Sequence, residues 1–201
     1  MNWKEFISSK QNRFELISTL VLLAIVLFTF TRFLIYVESR NGFSFEDPIL
    51  GLFEPIDLTW LTFTLIYGSI ITALIYLISK PEKLLFTIQL YTLMVVLRMI
   101  AMWLLPLNPP EQMIILIDPF VEFFGTGKTL TKDLFFSGHT ATLFILFLTA
   151  DNKHLKIIFL LSTIGVAISV LLQHVHYTID VFTAFIITYA CYSILRLFNN
   201  H

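Results

Sequence analysis

Three side chains in the carboxy-terminal part of the chain have the types and the spacing for proton or group transfer: His139, His176 and Asp180. Residues four apart on a helix share a face, so Asp180 is placed to accept a hydrogen bond from the ring of His176. A carboxylate that fixes one ring nitrogen leaves the other as an aimed base or nucleophile. The same pair can equally close a helix end as a purely structural bond. Ser137-Gly138-His139-Thr140 opens an apolar run with a small, flexible turn, whose free amides and positive helix end suit an anion within reach of His139. Arg98, in Val96-Leu97-Arg98-Met99, has no acid near it in sequence. A phosphate would suit its guanidinium fork, and a bridge to Asp133 or Asp180 is the alternative.

Two other patterns carry less. Gly125-Thr126-Gly127-Lys128-Thr129 looks like the end of a phosphate-binding P-loop, but Glu122 stands where the first glycine belongs and no strand precedes it. His174, His176, Asp180 and His139 are zinc-ligand types, yet histidines two apart at a helix start point in different directions. Neither a nucleotide, a metal nor another cofactor is therefore expected.

The elements that hold these residues are read from hydropathy. Of 201 residues, 57% are hydrophobic and 13% charged, far from the roughly 25% charged residues of soluble domains. A span needs about 20 mostly apolar residues, and six segments approach this: 16–37, 58–79, 84–105, 134–150, 157–172 and 177–198. The expected architecture is all-α, a polytopic six-helix membrane bundle over 16–198 preceded by a cytoplasmic segment, 1–15. Lys4, Lys10 and Arg13 before the first run superficially suggest a secretory signal, but the run is too long and lacks a small-residue cleavage site, so a retained helix is expected. Cys191 has no partner for an intramolecular disulfide, and a net charge of -1 without a basic cluster argues against nucleic acid.

With the amino terminus in the cytoplasm, Lys4, Lys10, Arg13, Lys80, Lys83, Lys153, Lys156 and Arg196 share that side, as the positive-inside rule favours. The opposite connections carry Arg40, Lys128 and Lys132 against Glu46, Asp47, Glu54, Asp57, Glu111, Asp118 and Glu122. His139, His176, Asp180 and Arg98 all fall at that opposite, non-cytoplasmic boundary. Intramembrane ionisable residues cost roughly 2.5–3.5 kcal/mol on insertion scales, which makes each a functional candidate; Arg32 is expected to snorkel to the interface. The apolar stretch 113–117 is expected either in the interface or packed on the surface.

Asp133-Leu134-Phe135-Phe136-Ser137-Gly138-His139-Thr140 and His174-Val175-His176-Tyr177-Thr178-Ile179-Asp180-Val181 resemble the two signature motifs of the sphingomyelin synthase family, within the lipid phosphate phosphatase (type 2 phosphatidic acid phosphatase) superfamily. The stretch from Arg98 to Pro106 resembles a third motif. The resemblance implies that His176 takes phosphorus, Asp180 orients it and His139 protonates the leaving alcohol, at a lumenal or exterior site. Arg98, Asp133, Ser137, Gly138 and His174 are then candidate substrate-binding residues. The implied partners are membrane lipids: a phospholipid donor, with ceramide, diacylglycerol or water as acceptor; a homo-oligomer is compatible. Two features depart from the phosphatase branch: its Lys and Arg-Pro motif is absent, and Val170 stands where it has arginine. A lipid phosphate phosphatase remains the alternative enzyme, and a transporter or lipid-binding scaffold the non-enzymatic one.

Overall fold

The computed structural model describes residues 1–116 and 130–199. Among these there are seven α-helices and no strand: α1 (Trp3–Ser8), α2 (Lys10–Ser39), α3 (Thr59–Leu77), α4 (Pro81–Leu104), α5 (Gly138–Thr149), α6 (Lys153–Leu172) and α7 (Thr178–Asn199). Their boundaries follow local chemistry. Asn2 and Glu5 form a reciprocal capping box on α1, and Ser9 caps α2. Pro81, with no N–H to leave unsatisfied, opens α4, and the Asn152 side chain accepts from the His154 and Leu155 amides at the start of α6.

Five helices, α2, α3, α4, α6 and α7, are long and apolar enough to cross a membrane, which makes the chain a multi-pass integral membrane protein. The fourth expected span, 134–150, is different. Only Gly138–Thr149 is helical, and its 12 residues rise about 18 Å at about 1.5 Å each, short of a hydrocarbon core of about 30 Å. The segment 130–137 approaches α5 as irregular chain. Such backbone is tolerated within a membrane only where protein covers it; Leu134, Phe136 and Ser137 of the segment are buried, and α5 is the centre of the bundle, packed by α3, α4, α6 and α7. Its Thr140, Ala141, Leu143, Ile145, Leu146 and Thr149 are all buried.

α2 packs mainly on α4 and shows most of its surface outward, as a lipid-facing helix does. The expected amino-terminal segment contains α1, whose Phe6 is buried and whose Trp3 indole donates to the Ile78 carbonyl at 2.5 Å. α1 is thereby tied to the α3–α4 connection, at the end of the bundle away from the candidate site.

The end carrying the first turns of α5 and α7 has a second layer made by the α2–α3 connection and residues 106–116. Phe43 N–H donates to Pro106 C=O and Asn108 N–H to Phe43 C=O, each at 2.9 Å. The Asn108 side chain donates to Gly42 C=O at 2.8 Å. Ile56 N–H donates to Leu172 C=O (2.7 Å) and Ile114 N–H to Gln173 C=O (3.0 Å), so both connections are bonded onto the end of α6. The stretch 113–117, expected either in the interface or packed on the surface, is thus fixed to the bundle at its second residue, Ile114, while Ile117 lies outside the described residues. So do the P-loop-like segment 125–129, Asp118 and Glu122.

Candidate active site

The turn between α6 and α7 carries two of the candidate residues, His174 and His176, and Asp180 follows in the first turn of α7. Gln173 ends α6, and His174 follows with φ of 54°. His174 N–H donates to Leu171 C=O and Val175 N–H to Val170 C=O, both at 2.9 Å. This closure usually places glycine where His174 stands, because the left-handed conformation costs other residues about 1–2 kcal/mol. The turn is braced by Gln173, fully buried, whose side chain donates to Thr59 Oγ1 at 3.0 Å.

His176 lies two residues before α7 rather than within it, yet the expected pair forms. Its Nδ1 is 3.2 Å from Oδ2 of Asp180, with the two residues 2% and 0% exposed. The same oxygen accepts from Tyr177 N–H at 3.1 Å. A proton on Nδ1 is required for that carboxylate to accept from the ring, which leaves Nε2 with the lone pair. The other Asp180 oxygen, Oδ1, and Nε2 of His174 are buried with no hydrogen-bond partner among the described residues.

The second motif approaches from the irregular segment before α5. Glu38, at the end of α2, accepts from the Thr131 and Lys132 amides (both 3.0 Å) and from the Thr131 hydroxyl (2.7 Å). Ser137 then caps α5, accepting from Thr140 N–H. Ser137 N–H donates to the Asp180 carbonyl at 3.2 Å, which joins the first turns of α5 and α7. His139, the second residue of α5, is half-buried.

Arg98 is engaged by the same segment. Its Nε donates to Phe136 C=O at 2.7 Å, Nη2 lies 2.8 Å from Asp133 Oδ1, and the group stands 5.5 Å from the Phe30 ring centre. Only 5% of Arg98 is exposed. Of the two acidic partners weighed from sequence, Asp133 is the one that meets Arg98. Gly138 leaves room for this packing, since a Cβ there would stand 2.8 Å from Cζ and Nη1 of Arg98 and the guanidinium would have to shift. Among the described residues, no three His, Cys, Asp or Glu side chains form a metal-binding group.

Asp47 was not singled out from the sequence. Its carboxylate accepts from Thr178 N–H (2.6 Å) and hydroxyl (3.1 Å) at the start of α7, and from Ile49 N–H (2.9 Å) in its own loop. Phe45 stacks on Tyr177 with ring centres 4.1 Å apart, and the Tyr177 hydroxyl donates to Asn108 C=O at 3.1 Å. The residues between His176 and Asp180 are therefore held from outside by the second layer. No local spacing signals this, because the partners stand 131 positions apart.

Residues 132–197 match the family model described as PAP2 superfamily C-terminal. The match supports the lipid phosphate phosphatase superfamily. It takes in Asp133, α5, α6 and nearly all of α7, and so every candidate residue but Arg98. It supports a membrane enzyme of the lipid phosphatase or phosphotransferase type without selecting the sphingomyelin synthase branch. No curated protein matches the chain.

Proposed function

We propose that this protein moves a phosphate-bearing head group from a phospholipid to an acceptor hydroxyl, that of ceramide, diacylglycerol or water, through a phosphohistidine. The observation that carries the reading is the buried His176–Asp180 pair, bonded through Ser137 to the turn that bears His139, within the segment matched to the superfamily. Nε2 of His176 attacks phosphorus as the bond from phosphorus to the glycerolipid oxygen breaks, and protonated His139 gives that oxygen its proton. The acceptor hydroxyl then attacks phosphorus, His139 takes back a proton, and the phosphorus–nitrogen bond breaks.

The pair's burial favours this division of labour, because a dry site strengthens the hydrogen bond that orients the nucleophile. Asp180 Oδ1 and His174 Nε2 are buried polar atoms left for a substrate oxygen, a hydroxyl or water to satisfy. Arg98 serves this site as a positioning residue through Phe136 and Asp133, and Ser137 and Gly138 shape the anion-facing turn. The reading places both termini in the cytoplasm and the site at the lumenal or exterior face. Hydrolysis by the same route, with water as acceptor, is the second reading, and the superfamily match favours it equally.

The test is incubation of purified protein in detergent with head-group-labelled phospholipids, with and without ceramide or diacylglycerol. Labelled lipid product that depends on the added acceptor supports transfer, and water-soluble phosphate alone supports the phosphatase. No product from any phospholipid would overturn both.

A further inference from the structure

We propose that Asp47, in the α2–α3 connection, is a positioning residue for the His176–Asp180 pair; the inference rests on the catalytic reading of that pair. One carboxylate here joins two segments. Oδ2 accepts from the Thr178 amide, the first residue of α7, and Oδ1 accepts from the Thr178 hydroxyl and the Ile49 amide. A carboxylate at a helix amino terminus satisfies an otherwise orphan donor and complements the helix dipole. What sets this cap apart is its place. Thr178 lies between His176 and Asp180, and the Tyr177 amide shares the very Asp180 oxygen that holds the His176 ring. The backbone at 177–178 therefore decides whether the imidazole and the carboxylate meet at 3.2 Å.

Ordinary caps come from the residue just before the helix. This one comes from 131 positions away and is backed by Phe45, which stacks on Tyr177 from the same connection. Without Asp47, Thr178 loses both of its bonds to the second layer, leaving the contacts of Tyr177 with Phe45 and Asn108, and the ring of His176 loses its fixed aim, while Asp180 and His176 are both still present. A misplacement of about 1 Å can lower a rate about 100-fold, and loss of an orienting partner commonly costs 10–100-fold.

The experiment reads geometry and turnover separately. In protein labelled with nitrogen-15 histidine, the Nδ1–H of His176 bound to Asp180 gives a strongly deshielded proton resonance, assigned by its loss in His176→Gln. Asp47→Ala is expected to abolish it and to lower kcat on labelled phosphatidylcholine at least about 10-fold, with KM within about twofold. Asp47→Asn keeps one acceptor oxygen and loses the charge, so it should retain a less deshielded resonance and lose severalfold in kcat. An unchanged resonance in a folded Asp47→Ala would overturn the proposal and leave Asp47 a stability residue. Should Asp47→Ala not fold, an Asp47→Asn protein equal to wild type in resonance and kcat would overturn it. If the wild type turns over no phospholipid, the catalytic reading fails, and the resonance still decides what Asp47 does.

Discussion

At the residue scale, chemistry-bearing side chains were legible because few polar groups occur in so apolar a chain. The spacing of His176 and Asp180 brought out a real contact, although His176 precedes the helix instead of sharing its face. The partner of Arg98 was not decided by sequence, since Asp133 reaches it only because the irregular segment 130–137 folds back over α4. Two substitutions probe this nest. Arg98→Lys removes the Nε donor to Phe136 and the planar fork, a loss of about 1.5–3 kcal/mol for a hydrogen bond from a charged group. Thermal unfolding in detergent should show it, together with reduced turnover. Gly138→Ala places a methyl against the guanidinium and should lower kcat at least about 10-fold. Wild-type turnover in both would detach Arg98 from the site.

At the scale of elements, five of six expected spans correspond to long helices, and the fourth does not. Hydropathy reports apolar environment, not helicity, so the apolar 134–137 and the helix that follows read as one run; the Ser137 cap marks the true start. Replacing Ser137 by alanine removes a buried cap and should destabilise by about 1 kcal/mol, read as a lower unfolding midpoint. The second layer was illegible for a different reason: its bonds join positions far apart in sequence, as from Asp47 to Thr178. Partial burial pushes the Asp47 carboxyl up, but hydrogen bonds from the Thr178 amide, the Ile49 amide, the Thr178 hydroxyl and the Leu50 amide outweigh it and hold its pKa below the ordinary 3.8. A lowered folded pKa means a contribution present above the unfolded value and lost as pH falls from that value through the folded one. The unfolding midpoint of wild type should therefore drop more steeply on acidification below about pH 4 than that of Asp47→Asn. Parallel curves would show that Asp47 is not held in this way.

For the whole molecule, the proposed sidedness rests on the distribution of charge. Lys80, Lys83, Lys153 and Lys156 lie at the end away from the site, where Lys83 pairs with Asp151. Trp60 and Trp103, both largely exposed, ring the site end, as tryptophans do at membrane interfaces. If the proposed orientation holds, with both termini cytoplasmic, an impermeant thiol reagent should label a cysteine placed at Glu46 in intact cells and spare one at Lys153; the reverse pattern would move the site to the cytoplasm. The central claim, covalent transfer through His176, is tested most directly by rapid quenching with phosphorus-labelled phospholipid into alkali, which preserves phosphohistidine. The account predicts label on His176 in the wild type. With an activated substrate, it predicts label in His139→Ala, because a good leaving group needs little help from an acid, and none in His176→Ala. Label on His139, or equal labelling of the two variants, would contradict it.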